Sequence, residues 1–378
     1  MTPFDDDIPG PTIFISRRPA DEALHMADEI GHYLVMLGGA EPGKRVEIGA
    51  EPLTIGRDAQ QTLVFADADL SRHHARVSLL NGEAVAEDLG STNGTFVDGK
   101  RVTSPLTLRE GSVLRAGSQL LKYERRSRRD VEQTRELDRG LLKASNYVLS
   151  LLPASLATGP VHADWRFVPS AQLGGDAFGY YWLNASTFVF YLIDVSGHGV
   201  GSAMHSVSVL NVLRQRALPG VDFEDPAAVL SSLNVRFQME SHNGMFFTMW
   251  YGVYRTDIRT LAYGSAGHHP AYLVPPDRRE MHPLGMPALM IGVMPDSAYQ
   301  VQHTSVPAGS ALYLFSDGVF EIVTKDQQRW ALSDFLPLLL DPALPGTPEA
   351  ERLYRAVRQA AGPGPSEDDF SLMVVTFQ

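Results

Sequence analysis

The 378 residues predict a multidomain chain, with an N-terminal all-β sandwich, a helical linker and a C-terminal domain of mixed α and β structure. Three observations carry this. From residue 33 to 123 short β-rich runs follow one another closely with turn signals between them, the pattern of a sandwich. From 125 to 152 the composition turns to Arg, Glu, Leu and Lys without proline, which suits one long helix. Beyond Pro153 apolar strand-like runs alternate with helix-length segments to the last residue.

Taken in order, residues 1–30 join an acidic, proline-containing start to a helix-capable stretch at 20–30. The β-rich part carries strand runs at 33–37, 45–48, 53–55, 75–79, 84–88, 95–97 and 112–116, with Asn81-Gly82, Asn93-Gly94 and Asp98-Gly99 as turn dipeptides. In the linker Leu137, Leu141, Ala144, Val148 and Leu151 recur at intervals of 4, 3, 4 and 3, a single helical stripe that Pro153 stops. Two heptads do not decide between a connector packed on its own domain and the seam of a homodimer. Strands are expected next at 187–193, 248–254, 271–274, 311–315 and 370–377, with helices around 202–216, 226–240 and 348–361. The expected parts are therefore 1–30, 31–125, 126–152 and 153–378.

Composition narrows the chemistry. Thirty-two Lys plus Arg against 44 Asp plus Glu give a net charge of −12, which opposes general attraction to nucleic acid or anionic lipid. The absence of cysteine excludes disulfides, thiolate nucleophiles and Cys-ligated metals, so any metal is held by oxygen or histidine. The charged start lacks the apolar core of a signal peptide, and no apolar run approaches the roughly 20 residues that span a bilayer; the expected location is the cytoplasm, without membrane or nucleic-acid partners. Two motifs are decoys. The stretch from Gly38 to Lys44 imitates a phosphate-binding loop, but Arg45 stands where Ser or Thr is needed and a strand follows, so a hairpin turn is expected. Arg125-Arg126-Ser127-Arg128-Arg129 lacks interleaved aromatics and reads as a solvated linker start.

In the last domain four acidic groups sit at strand ends or in Gly-rich turns: Gly174-Gly175-Asp176, Asp194-Val195-Ser196-Gly197-His198-Gly199, Ser316-Asp317-Gly318 and Glu367-Asp368-Asp369. One Asp-Gly pair is ordinary turn chemistry; four together suit hard cations such as Mg2+ or Mn2+. Neither a Gly-x-Ser-x-Gly elbow nor a His-Glu-x-x-His helix is present. Metal-activated water remains, and phosphate-ester hydrolysis is the natural reaction. His198, His205, His268 and His269 fit no zinc spacing.

With these stretches, and with the 262–270 run Ala-Tyr-Gly-Ser-Ala-Gly-His-His-Pro, residues 149–378 resemble the metal-dependent protein phosphatase (PPM, PP2C-type) family in its SpoIIE-like branch. The resemblance implies a β-sandwich flanked by helices and two divalent cations, Mn2+ or Mg2+. It further implies that Asp194 bridges both ions, that Asp176 and the Val195 carbonyl complete one site, and that Asp317 and Asp368 complete the other. Asp369 is then a supporting or capping residue and Glu321 a structural ion pair. The family often carries a second aspartate three residues after the first motif, where this chain has Gly179, and the question is whether that loss weakens one metal site.

In the β-rich part Gly56-Arg57, Ser71-Arg72-His73-His74 and Ser91-Thr92-Asn93-Gly94-Thr95 gather arginines, hydroxyls and an amide in turns, a set suited to an oxyanion. Together they resemble the forkhead-associated (FHA) domain over about 31–125, which implies a reader of phosphothreonine peptides. By that resemblance Arg57 and Ser71 contact the phosphate, Arg72 and Thr92 border it, and Asn93 holds the peptide main chain, while His74 braces the loops from beneath. The expectation is a serine/threonine phosphoprotein phosphatase recruited or regulated through its FHA domain, with an anti-sigma-factor antagonist as the substrate class the SpoIIE-like branch implies. The alternative is a phospho-dependent adaptor whose phosphatase-like domain is inactive or serves only to sense.

Overall fold

A computed structural model describes residues 29–38, 42–362, 364 and 366–378. The extension at 1–28, with most of its expected helix, and residues 39–41 of the expected turn lie outside the described residues; Ile30 opens a strand. The chain divides after Arg139 into two compact units.

In the first unit two sheets face each other. One orders Arg45–Glu47, Ile30–Met36, Gln119–Ser127, Val113–Ala116, Thr95–Val97 and Lys100–Arg101; the other orders Leu63–Val64, Leu53–Gly56, Ala75–Leu80, Glu83–Asp88 and Leu106–Thr107. Alternating side chains point inward, so Leu34, Val97, Leu114 and Tyr123 meet Ile55, Val77, Ala84 and Ala86 in one core. Asn81 and Gly82 both take positive φ, 53° and 80°, which closes the hairpin between Ala75–Leu80 and Glu83–Asp88 as a two-residue turn. Among the described residues no helix interrupts this unit before Arg128.

The linker helix runs Arg128–Leu151. Its stripe divides: Leu141 and Val148 pack with Leu173 and Ala203, and Leu151 lies against a neighbouring core, whereas Leu137 is 63% exposed. The later half of the stripe is thus used in packing on the second unit.

That unit stacks two antiparallel five-stranded sheets. One orders Val161–Val168, Phe370–Phe377, Ala311–Phe315, Ala271–Val274 and His282–Leu284; the other orders Ala177–Trp182, Thr187–Val195, Phe247–Arg255, Thr260–Ala266 and Gln302–Ser305. Between them Phe178, Phe190 and Trp250 meet Leu314, Met373, Val375 and Phe377. The helices Val200–Arg214 and Pro226–Arg236 cover one outer face, placing Val209, Leu213, Leu230 and Leu233 over Tyr191, Ile193 and Tyr251. The other face takes the helix Glu349–Ala360, with Leu353 and Val357 over Phe315, Leu372 and Val374. Central strands are therefore buried on both faces, which explains their unbroken apolar sequences. Pro226 opens its helix at a position that needs no amide donor, and the Asp225 carboxylate accepts from the Ala227 and Ala228 amides. Among the described residues no helix is long and apolar enough to cross a membrane.

The fully buried Leu314 has no slack around it. Leu314→Ala is expected to destabilise the second unit by about 2–5 kcal/mol. Leu142→Ala, at a position 60% exposed, should stay within about 0.5 kcal/mol of wild type; denaturant titration of both variants checks the contrast.

Candidate functional sites

At one end of the second sandwich a cavity of about 250 Å3 is lined by Asp176, Asp194, Val195, Asp317 and Asp368, together with Ser196, Gly197, His198, Thr248, Glu367 and Asp369. Each carboxylate arrives on a different element. Asp194 is the penultimate residue of Thr187–Val195 and lies opposite Thr248 in strand register. Asp317 begins the short 3-10 turn Asp317–Val319 that follows Ala311–Phe315. Asp176 directly precedes Ala177–Trp182, and Asp368 lies two residues before Phe370–Phe377. Gly318 is required here, because the carbonyl of Asp369 occupies the space a Cβ would take. The Ser316 hydroxyl donates to that same carbonyl at 3.0 Å, so the two acidic turns are locked together.

Asp369 is used differently from its neighbour. Its carboxylate accepts from the Ser170 amide at 2.7 Å, the Ser170 hydroxyl at 2.9 Å and the Gly175 amide at 2.6 Å. It holds the loop that carries Asp176, the supporting place expected for it.

The cavity is electrostatically unbalanced. No lysine or arginine lines it. Burial, then Asp194 and Asp369, raise the Asp176 carboxyl well above the ordinary range. Burial, then Asp317 and Asp368, push Asp194 up to about 7. Asp317 rises through burial and then Glu321. Asp176 Oδ2 is buried with no hydrogen-bond partner, a costly state for a carboxylate oxygen. A strongly negative set of carboxylate oxygens with a vacant acceptor fits divalent Mg2+ or Mn2+. Among the described residues no three acidic or imidazole side chains converge closely enough to enclose an ion as they stand.

Three expectations are refined. Glu321 makes no ion pair among the described residues; its charge falls on Asp317 instead, because its amide donates to the Asp317 carbonyl at 2.7 Å and keeps it close. Gly179 lies within a strand, not on the cavity, and the Tyr191 phenol fills the space its side chain would need. His205, His268 and His269 are packed among aromatic rings away from the acidic cavity. The sequence reading missed Thr248, whose buried Oγ1 has no partner at the cavity wall. Only its register opposite Asp194 could have revealed it.

At one end of the first unit the loop residues converge as well. The Thr92 amide donates to Ser71 Oγ at 3.0 Å, and the Asn93 side-chain amide donates to the Asp69 carbonyl at 2.9 Å. The Arg57 amide donates to the Ser71 carbonyl at 3.1 Å. Gly56 lets the strand reach the Arg72 carbonyl, which stands where a Cβ would be. His74 is buried, with Nδ1 accepting from the Ser71 amide at 3.1 Å and Nε2 placed to donate to the Gly94 carbonyl at 3.2 Å, the bracing place expected for it. Asp88, not singled out in the sequence, accepts from Ser91 Oγ at 2.5 Å and Thr95 Oγ1 at 2.7 Å and fixes the loop bearing Thr92 and Asn93. Arg57 and Arg72 are exposed, and among the described residues neither has an ion-pair partner. Two unpaired guanidinium groups beside two hydroxyls form an arrangement suited to an anion.

Comparison with known proteins finds a match for each unit. The family described as "Stage II sporulation protein E (SpoIIE)" matches residues 184–378, just over half the chain, and the FHA domain family matches residues 53–117. FHA domain-containing protein FhaB of Mycobacterium tuberculosis is 42% identical over 85 residues, covering 22% of this chain and 55% of FhaB. Phosphoserine phosphatase RsbU of Bacillus subtilis is 27% identical over 159 residues, covering 42% of this chain and 46% of RsbU. The chain thus spans about half the length of these curated relatives. The solved SiaA-PP2C domain of Pseudomonas aeruginosa superposes with a TM-score of 0.56 at 22% identity, covering 65% of this chain and 99% of that domain, a likeness of fold. With an FHA sandwich ahead of a PP2C-like α+β domain, the chain belongs to the SpoIIE family.

Proposed function

We propose that this chain is a metal-dependent serine/threonine phosphoprotein phosphatase recruited to phosphorylated partners through its FHA domain. In this reading residues 31–125 read phosphothreonine, 126–152 connect, and 153–378 carry out hydrolysis. The supporting observation is the convergence of Asp176, Asp194, Asp317 and Asp368, without a cation, on one cavity. Asp194 would bridge two divalent ions, with Asp176 and the Val195 carbonyl completing one site and Asp317 and Asp368 the other. Bound there, such ions lower the pKa of water and neutralise charge on a phosphoryl group. The chain itself holds the carboxylates at fixed positions, keeps lysine and arginine out, and supplies the Thr248 hydroxyl at the wall. Phosphoserine substrates are favoured by the likeness to RsbU, named a phosphoserine phosphatase, and an anti-sigma-factor antagonist is the substrate class proposed. In the FHA site Arg57 and Ser71 would contact the phosphate, Arg72 and Thr92 border it, and Asn93 hold the peptide backbone. That Gly179 is not among the residues lining the cavity supports the enzymatic reading over the adaptor.

Three outcomes are expected. Hydrolysis of p-nitrophenyl phosphate should require Mn2+ or Mg2+, stop with EDTA, and fall at least about 100-fold in Asp194→Asn; persistence of turnover in that variant would remove the proposal. By fluorescence polarisation, Arg57→Ala should weaken binding of a phosphothreonine peptide about 10- to 100-fold, with p-nitrophenyl phosphate turnover unchanged. The third outcome concerns pH. The folded Asp194 pKa of about 7 lies above the unfolded value near 3.9, so its stabilising contribution is complete below the unfolded value and is lost as pH rises through the folded one. Metal-free protein should therefore melt at lower temperature at pH 8 than at pH 6, and Asp194→Asn should flatten that slope. Saturating Mn2+ should reverse it, because the ion binds deprotonated ligands.

A further inference from the structure

A second cleft opens beside the acidic cavity. After the turn Asp317–Val319 the chain forms a narrow hairpin in which Val323 bridges Arg329 and the Trp330 amide donates to the Ile322 carbonyl at 3.0 Å. Phe320, Ile322, Val323, Trp330 and Leu332 line a cleft of about 280 Å3 with Arg329 at its rim. All of these apolar residues except Phe320 are only half-buried, so the cleft offers apolar surface that the fold leaves uncovered.

The cleft adjoins the cavity, and one residue lines both. The Glu321 amide, in the cleft wall, donates to the Asp317 carbonyl, which sets that wall one turn from a cavity carboxylate. Glu367 lines both spaces and pairs with Arg329 at 3.7 Å, forming their shared lip. A polypeptide that lowers a phosphorylated side chain into the cavity across this lip lays its flanking residues on the cleft. An extended chain advances roughly 3.3 Å per residue, so a residue within about three of the phosphorylated one reaches the cleft. Two carboxylates against one guanidinium at the rim oppose an acidic flank and favour a neutral one.

We propose that the cleft takes an apolar side chain of the phosphoprotein substrate, within three residues of the phosphorylated position, and so sets which phosphoproteins are turned over. The inference rests on the phosphatase reading. It makes Trp330 a specificity residue, whose ring and neighbours cover the incoming side chain.

The test uses the full chain with Mn2+, p-nitrophenyl phosphate, and neutral phosphoserine peptides in which one leucine is stepped through the three positions on either side of the phosphoserine, with an all-alanine-flanked control. Wild type should prefer one leucine peptide over the control by about tenfold in kcat/KM, the value of covering one leucine side chain, with the gain in KM. Trp330→Ala should erase that preference when each rate is referred to p-nitrophenyl phosphate, which is too small to reach the cleft. Ala331→Trp, which adds bulk at an exposed lining position and removes no packing, should erase it as well. Metal-dependent turnover without any leucine preference, or a preference that survives both substitutions, would overturn the cleft alone. Absence of metal-dependent p-nitrophenyl phosphate turnover would overturn the phosphatase reading and the cleft with it.

Discussion

The second domain is organised around one electrostatic constraint, the holding of several carboxylates at one end of a sandwich with no cation to neutralise them. Two like charges 5 Å apart repel by roughly 3 kcal/mol at an effective dielectric of 20, and burial adds to the cost. The fold offsets that cost at a distance from the charges. Strands buried on both faces anchor the residues next to each aspartate, so Asp194 and Asp317 follow directly on fully buried Ile193 and Phe315–Ser316 backbone. Backbone contacts then fix the turns: Gly318 against the Asp369 carbonyl, and Ser316 onto the same oxygen. Such a cluster is costly as it stands, and the fold meets that cost with packing and backbone contacts on either side of each turn.

The first unit solves the opposite problem. Its site presents two unpaired arginines, and the neighbouring hydroxyls and amides satisfy one another so that the loops stay in place before any anion arrives. His74 is central to this order, since one neutral imidazole ties the Ser71 loop to the Gly94 turn from a fully buried position. Opposite local charges coexist in a chain with net charge −12 because each is confined to a few loop residues at the end of a sandwich, where side chains are free of the sheet's alternation. A net negative charge is therefore compatible with a small, local anion site.

Much of this was legible in the sequence, and the pattern of what was legible has a physical cause. Strands at Ala311–Phe315 and Phe370–Phe377 were read to the residue, because burial on both faces leaves an unbroken apolar run bounded by turns. Strands at Ala177–Trp182 and Thr260–Ala266 were missed. Each contains a glycine and takes its place through pairing with a stronger neighbour, Thr187–Val195 or Phe247–Arg255, rather than through its own propensity. The acidic motifs were visible because glycines bracket them. Thr248 and Asp88 were not, because their roles depend on register and loop closure, which join residues distant in sequence.

Asp368 and Asp369 show where sequence reading reaches its limit and structure takes over. The two are adjacent and identical in chemistry, and nothing local distinguishes them. Both precede the strand Phe370–Phe377 and both line the cavity, yet their carboxylates take different partners. One carboxylate is delivered to the mouth of the cavity. The other turns inward and accepts three hydrogen bonds from Ser170 and Gly175, which positions the loop bearing Asp176. Exchanging their roles would require shifting the strand by one residue against Ala311–Phe315 and Val161–Val168, and that shift would turn Leu372 and Val374 from the helix-covered face to the space between the sheets. The register that packs the core thus also sets where the two aspartates stand at the cavity.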